Sequence, residues 1–274
     1  MTTEKYNQNH MQALASNSQL NNMVNYHVKS SYKTTPTAFD YIKEHFFNER
    51  VEKLLSKVQL YEFTDKKIIL NLIRENKEIT NLLRKHDIEL EINVRNLESI
   101  TSAHLNPTLE IAYGIMEELS STFRFSVSDK KAIIRGAIFH DFGKVLIPDN
   151  ILNSTAHLND NERKVVELHA QLGYELLKAS KQFDDKTLNL VRNHHRFMDG
   201  SGYPENEVEV DILSQIITAA DIYTALREER SYKESITSEK ALTIMKELVE
   251  ESKLSILVYN ALKKLIENKS TKQN

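Results

Sequence analysis

Apolar residues recur at three- and four-residue steps along most of the chain, the spacing of a helix face rather than of a strand. From Phe39 to about Asn96, Phe47, Val51, Leu54, Leu55 and Val58 form one such stripe. Ile79, Leu82 and Leu83 repeat the spacing after a polar gap. Leu109, Ala112, Tyr113, Met116 and Leu119 mark a further helix, and Ile133, Ile134, Ala137 and Ile138 line one predicted over 131–140. Asn159, with Glu162 three residues later, has the form of a capping box. It predicts a helix through Leu177 with Val165, Leu168, Leu172 and Leu176 as its stripe. Helices are also predicted over 188–196, 212–226, 238–250 and 254–267. Alternating strand patterns are nearly absent, and no glycine precedes Gly114. The chain therefore reads as all-α: a helical bundle with an N-terminal helical segment.

The pattern divides the chain in three. Residues 1–38 are rich in Asn, Gln, Ser and Thr, bury little, and read as disordered or weakly structured. Residues 39–96 read as a helical lead-in, or as a regulatory or dimerising segment that would pair two copies of the chain. Residues 97–274 read as the catalytic domain.

Composition narrows the chemistry. The chain has no cysteine, which excludes disulfides, iron–sulfur clusters and thiolate zinc. A metal would have to be held by nitrogen and oxygen donors, a set that suits iron, manganese, zinc or nickel. A net charge of −3 gives no electrostatic reason to expect long nucleic acids or anionic membranes as partners. No apolar run approaches the roughly 20 residues needed to span a bilayer, and the N-terminus has no signal-peptide core. The expected compartment is the cytoplasm.

The candidate chemistry lies in the middle of the chain. His140-Asp141 follows the apolar run Gly136-Ala137-Ile138-Phe139, which puts the pair at the edge of a core. His104, His169, His194-His195 and Asp221 share the same stretch. Each has an ordinary alternative. His104 could be a satisfied surface histidine, His169 a hydrogen-bonded core residue, and His194-His195 an offset to a helix dipole. Asp221, on an Ala-rich apolar face, is harder to dismiss, because a buried carboxylate needs a partner. Together these residues make a plausible set for two divalent ions with one bridging carboxylate. Such ions can share a hydroxide and hold a phosphodiester for in-line attack.

The set resembles a known family. Thr101-Ser102-Ala103-His104, His140-Asp141-Phe142-Gly143-Lys144, Ile147-Pro148-Asp149-Asn150-Ile151-Leu152 and His169-Ala170-Gln171-Leu172-Gly173-Tyr174-Glu175 appear in order. Asn193-His194-His195-Arg196-Phe197-Met198-Asp199-Gly200-Ser201-Gly202-Tyr203-Pro204, Ala219-Ala220-Asp221-Ile222-Tyr223 and Arg230-Ser231-Tyr232-Lys233 follow. The series, covering about half the chain, is similar to the HD-GYP domain, a branch of the HD metal-dependent phosphohydrolase superfamily.

That resemblance implies a cyclic di-GMP phosphodiesterase giving pGpG or GMP. It implies two divalent ions, iron or manganese by preference, on His104, His140, Asp141, His169, His194, His195 and Asp221, with Asp141 bridging. Lys144 would contact a phosphate oxygen, and Arg230 and Lys233 would grip the second phosphate. The Gly202-Tyr203-Pro204 loop would shape the substrate mouth or a partner surface. The chain departs from the pattern at Arg196 (usually Glu), Met198 (usually Trp), Thr224 (usually Asp) and Ser154-Thr155 (usually Lys-Pro). Ile100 stands where some members carry a Glu for a third metal, which favours two ions. These departures leave room for another cyclic nucleotide as substrate, or for a docking module.

Overall fold

The computed structural model describes residues 66–93, 105–228 and 236–272. The polar stretch 1–38, the stripe from Phe47 to Val58, and His104, Arg230 and Lys233 lie outside the described residues. Ten α-helices are described: α1 (Lys66–Glu75), α2 (Lys77–Lys85), α3 (Leu105–Leu119), α4 (Val127–Phe139), the short α5 (Asp149–Leu152), α6 (Asp160–Ser180), α7 (Asp185–Asn193), α8 (Ile212–Arg227), α9 (Ser238–Glu250) and α10 (Ile256–Lys272). A 3-10 turn, Phe142–Leu146, follows α4. No strand occurs among the described residues; Arg196 and Gly202 form one isolated antiparallel bridge.

Helices α4 and α8 are the centre of the bundle. In α4 every residue from Ala132 to Phe139 is buried, and in α8 every residue from Leu213 to Ala220 is. A helical stretch buried on all sides has to be surrounded by others. Helix α4 is flanked by α3, α7 and α8, and α8 by α3, α9 and α10. Each fully buried Ile or Leu in this core, such as Ile133, Ile216 and Leu190, contributes roughly 1.5–3 kcal/mol. Helices α1 and α2 lie on α6, and their Ile69, Ile73, Ile79 and Leu83 belong to the same core cluster. Asn76, between them, donates through Nδ2 to Glu175 O and Oε2 on α6 at 3.1 and 3.0 Å.

Side-chain caps set the helix starts. The capping box expected at Asn159 is present: Asn159 Oδ1 accepts from the amides of Asn161 and Glu162, and Glu162 accepts from the Asn159 amide. A second box, Ser126 with Asp129, starts α4 four residues ahead of the predicted boundary. The first turn, with an exposed Val127 followed by the polar Ser128-Asp129-Lys130, hid it from the apolar stripe. Helix α7 likewise begins at Asp185, capped by Asp184, and ends at Asn193 rather than at Arg196. His194 is thus the cap residue, and His195 stands in the turn beyond.

Two glycines permit the contact on which the site depends. A Cβ on Gly143 would lie 1.9 Å from His169 O and 2.5 Å from the Gly173 amide. The 3-10 turn therefore touches the α6 backbone directly, which seats Asp141 beside His169.

Candidate metal centre

Four helices deliver the site. His140 caps α4, with Asp141 next; His169 sits mid-way along α6; His194 caps α7, with His195 next; Asp221 projects from α8. The potential ligand atoms of Asp141, His169, His194 and His195 all lie within 4.8 Å of one another. His140 joins them, its Nε2 3.4 Å from Asp141 Oδ2 and 3.5 Å from Asp221 Oδ1. Asp141 Oδ1 is 3.3 Å from His169 Nε2 and 3.9 Å from His194 Nε2. His195 Nδ1 approaches Asp221 Oδ2 at 4.0 Å. The two carboxylates thus stand among four imidazoles. Thr218 Oγ1 donates to His194 O at 2.9 Å, pinning the end of α7 to α8.

Hydrogen bonds at the far ring nitrogens decide what these imidazoles can do. His140, His169 and His194 each place Nδ1 against the carbonyl oxygen three residues earlier, at 2.9, 2.7 and 2.8 Å. A carbonyl only accepts, so each Nδ1 carries a proton, and in the neutral ring Nε2 presents a lone pair to the site. This is the usual support behind a metal-ligating histidine. His169 Nε2 and His194 Nε2 face each other across 3.2 Å. Two lone pairs at that distance repel unless a positive centre lies beside them. Asp141 Oδ1 is buried and accepts no hydrogen bond. An orphaned carboxylate oxygen and converging bare nitrogens fit a divalent cation site, and the N/O donor set fits iron, manganese, zinc or nickel.

Protonation follows the same geometry. Burial pushes the His169 imidazole down to about 3, with Lys144 and His194 adding to it. Burial and the neighbouring His169 take His195 down to about 3. Burial, His195 and His140 hold His194 well below its ordinary range. These three are neutral, the state in which imidazole ligates. Burial also opposes charge on His140, but Asp141 and Asp221 outweigh it and raise that group to about 10. At His140 Nε2 a proton and a metal ion therefore compete for one position between two carboxylates. Burial opposes charge on both carboxyls; Lys144 and His140 hold Asp141 well below the usual carboxylate range, and His140 and His195 do the same for Asp221.

The remaining candidates divide. Lys144 is in the site, its Nζ 2.6 Å from Asp141 Oδ2. Tyr203 is also there: its ring centroid lies 4.6 Å from that of His195, tilted by 34°, and 6.0 Å from that of His169. Burial, with Asp141 and Asp221 nearby, raises the Tyr203 hydroxyl above its ordinary range, so it remains protonated. Gly202 has φ +88°, and a Cβ there would lie 2.1 Å from His195 O. Only glycine lets the loop fold back onto the paired histidines, and Pro204 follows as the chain leaves. Sequence reasoning gave no role to Gly143 and Gly173, whose close approach no local pattern announces. It gave none to Asn193 and did not single out Asn206; their side chains bond to each other at 2.9 Å.

The chain has relatives among known proteins. The family model described as HD domain matches residues 93–254. The cyclic di-GMP phosphodiesterase response regulator RpfG of Xanthomonas campestris pv. campestris is 34% identical over 148 residues, which are 53% of this chain and 38% of that protein. The 3'3'-cGAMP-specific phosphodiesterase 3 of Vibrio cholerae is 37% identical over 125 residues, 44% of this chain and 27% of that protein. The chain thus spans less than half the length of these curated relatives. Among solved structures, Bd1817, an HDG"Y"P protein from Bdellovibrio bacteriovorus, superposes with a TM-score of 0.51 at 17% identity, covering 90% of this chain and 78% of that one. That likeness supports the all-helical fold.

Proposed function

The chain belongs to the HD-domain family, and from that premise we propose that it is a metal-dependent phosphodiesterase that hydrolyses cyclic di-GMP to pGpG or GMP. The observation that carries the reading is the convergence of unprotonated imidazole nitrogens on Asp141, with the Lys144 ammonium beside the same carboxylate. His140, Asp141, His169, His194, His195 and Asp221 would hold two divalent ions, with His104 as a further ligand and Asp141 between the ions. When bound, such ions acidify a water and draw charge from phosphoryl oxygens.

The chain's own residues do the rest. The carbonyls of Ala137, Val166 and Val191 fix the imidazole orientations, so no ring has to turn to bind, and of these three only His140 has a proton to give up. Lys144 supplies a fixed cation to a non-bridging phosphate oxygen as charge builds there. Tyr203 walls the site over His195 and presents a protonated hydroxyl. Arg230 and Lys233 grip the second phosphate. In the same reading the ions are iron or manganese, the compartment is the cytoplasm, and residues 39–96 form a regulatory segment that pairs two copies of the chain. No described helix is long and apolar enough to cross a membrane.

Relatives named for 3'3'-cGAMP make that dinucleotide the competing substrate. The test is to incubate the metal-loaded full chain with cyclic di-GMP, 3'3'-cGAMP and cyclic di-AMP in parallel and resolve the products by chromatography. Preferred cleavage of cyclic di-GMP supports the reading. Preferred cleavage of another dinucleotide moves the substrate within the same chemistry. Cleavage of none, with metal bound, overturns it in favour of a docking module.

A further inference from the structure

Arg196 follows the paired histidines, and only 7% of its surface is exposed. A buried guanidinium ordinarily faces a carboxylate. Among the described residues none stands within ion-pair distance of Arg196; its partners are neutral oxygens. Nη1 donates to Asn206 O and, at 2.6 Å, to Asn206 Oδ1, and Nη2 donates to Gly200 O at 3.5 Å. Asn206 extends the network. Its Nδ2 donates to Asn193 Oδ1 at 2.9 Å and to Pro204 O at 3.0 Å, while its Oδ1 also accepts from the Val208 amide at 2.9 Å.

These bonds have a common geometry. Asn193 is the last residue of α7, immediately before His194. Gly200 lies at the tip of the loop 197–206, and Asn206 lies at its return. Between them the Tyr203 amide donates to His195 O at 3.3 Å, and Arg196 and Gly202 are bridged through their backbones. One planar fork therefore ties the tip and the return of the loop to the helix end that carries His194 and His195. The Tyr203 ring, held between these ties, lies against His195. A lysine could not replace this arrangement, because it offers a point charge rather than a fork.

We propose that Arg196 is a positioning residue: with Asn206 it clamps the 197–206 loop so that Tyr203 is a fixed wall of the substrate mouth, against which a flat nucleobase of the dinucleotide packs. The nucleobase part rests on the phosphodiesterase reading; the clamp itself does not. A wall set in place before substrate arrives lowers the ordering cost of binding. Its loss appears in KM rather than in the chemical step.

The test uses the metal-loaded full chain and the variants Arg196→Ala, Asn206→Ala, the double variant and Arg196→Lys. Metal content, kcat and KM on cyclic di-GMP, and deuterium uptake of peptides spanning 131–142, 165–177 and 196–206 are measured on each. Expected are unchanged metal content, a KM raised about tenfold with kcat within about threefold in each single alanine variant, and a double variant no worse than either single. Deuterium uptake rises in 196–206 alone. An unchanged KM overturns the proposal, as does full rescue by Arg196→Lys. Joint loss of kcat, metal and protection in all three peptides also overturns it, because Arg196 would then only stabilise the fold. Should Arg196→Ala fail to fold, Asn206→Ala, at a partly exposed residue, decides on the same readouts. If the wild type cleaves no cyclic dinucleotide, the phosphodiesterase reading fails, and deuterium uptake alone judges the clamp: a rise confined to 196–206 supports it, and no rise there overturns it.

Discussion

Two imidazoles whose Nδ1 protons are committed to carbonyls do not face each other across 3.2 Å at no cost, and His169 and His194 do so beside an unsatisfied carboxylate oxygen. The centre is therefore organised for a cation at the level of single atoms. Asp141→Asn keeps the shape but gives up the charge that faces four imidazoles. It should abolish turnover and lower bound metal, as read by elemental analysis beside a product assay; full metal content would count against Asp141 as the bridging ligand. Lys144→Ala should leave metal content as it is and cut turnover roughly a hundredfold, the scale of losing one charge-stabilising group. Loss of metal in that variant would contradict its assignment to the substrate phosphate. The described histidines and aspartates of the site stood out in the sequence because each sits at or beside a helix end or on an apolar face. Asn206 was not: in the run Glu205-Asn206-Glu207 it looks like solvated loop, and only the fold brings it to Arg196 and Asn193.

Among the elements, the decisive contact is the crossing of the 3-10 turn with α6 at Gly143 and Gly173. A methyl group on Gly143 would meet the backbone of α6, which cannot swing aside. Gly143→Ala should cost at least the ~1–3 kcal/mol typical of overpacking and lower metal content with it. Gly114→Ala is the control: its nearest neighbours are the Leu265 methyl groups at 2.6 and 2.9 Å, the flexible end of a side chain. Denaturant melts of both variants check this, and equal losses would refute the claim that the crossing holds the site. The long helices were readable from their apolar stripes. Their first turns were not: α4 and α7 begin with polar residues held by Ser126 and Asp184, so the pattern starts late. The short α5 and the 3-10 turn span less than two turns of regular spacing, too little for periodicity to register.

Across the whole molecule, the centre ties α4, α6, α7 and α8 together, so filling it should stabilise the bundle and not only the loops around it. A ligand bound at about a hundred times its dissociation constant adds ~2.7 kcal/mol. For a chain of this size that corresponds to a fall in Tm of about 5–10 °C when a chelator strips the ions. A Tm indifferent to chelation would mean that the four helices hold their places without metal. The arrangement was predictable as an all-helical bundle, since strand alternation was nearly absent. Which helices would surround the site followed only from the packing of α4 and α8 at the centre. The most direct test of the account is the number of metal ions per chain in protein purified without chelator, counted for the wild type and for His169→Ala. The account predicts about two ions in the wild type and a clear deficit in the variant; a wild type that retains no ions after loading with iron or manganese would contradict it.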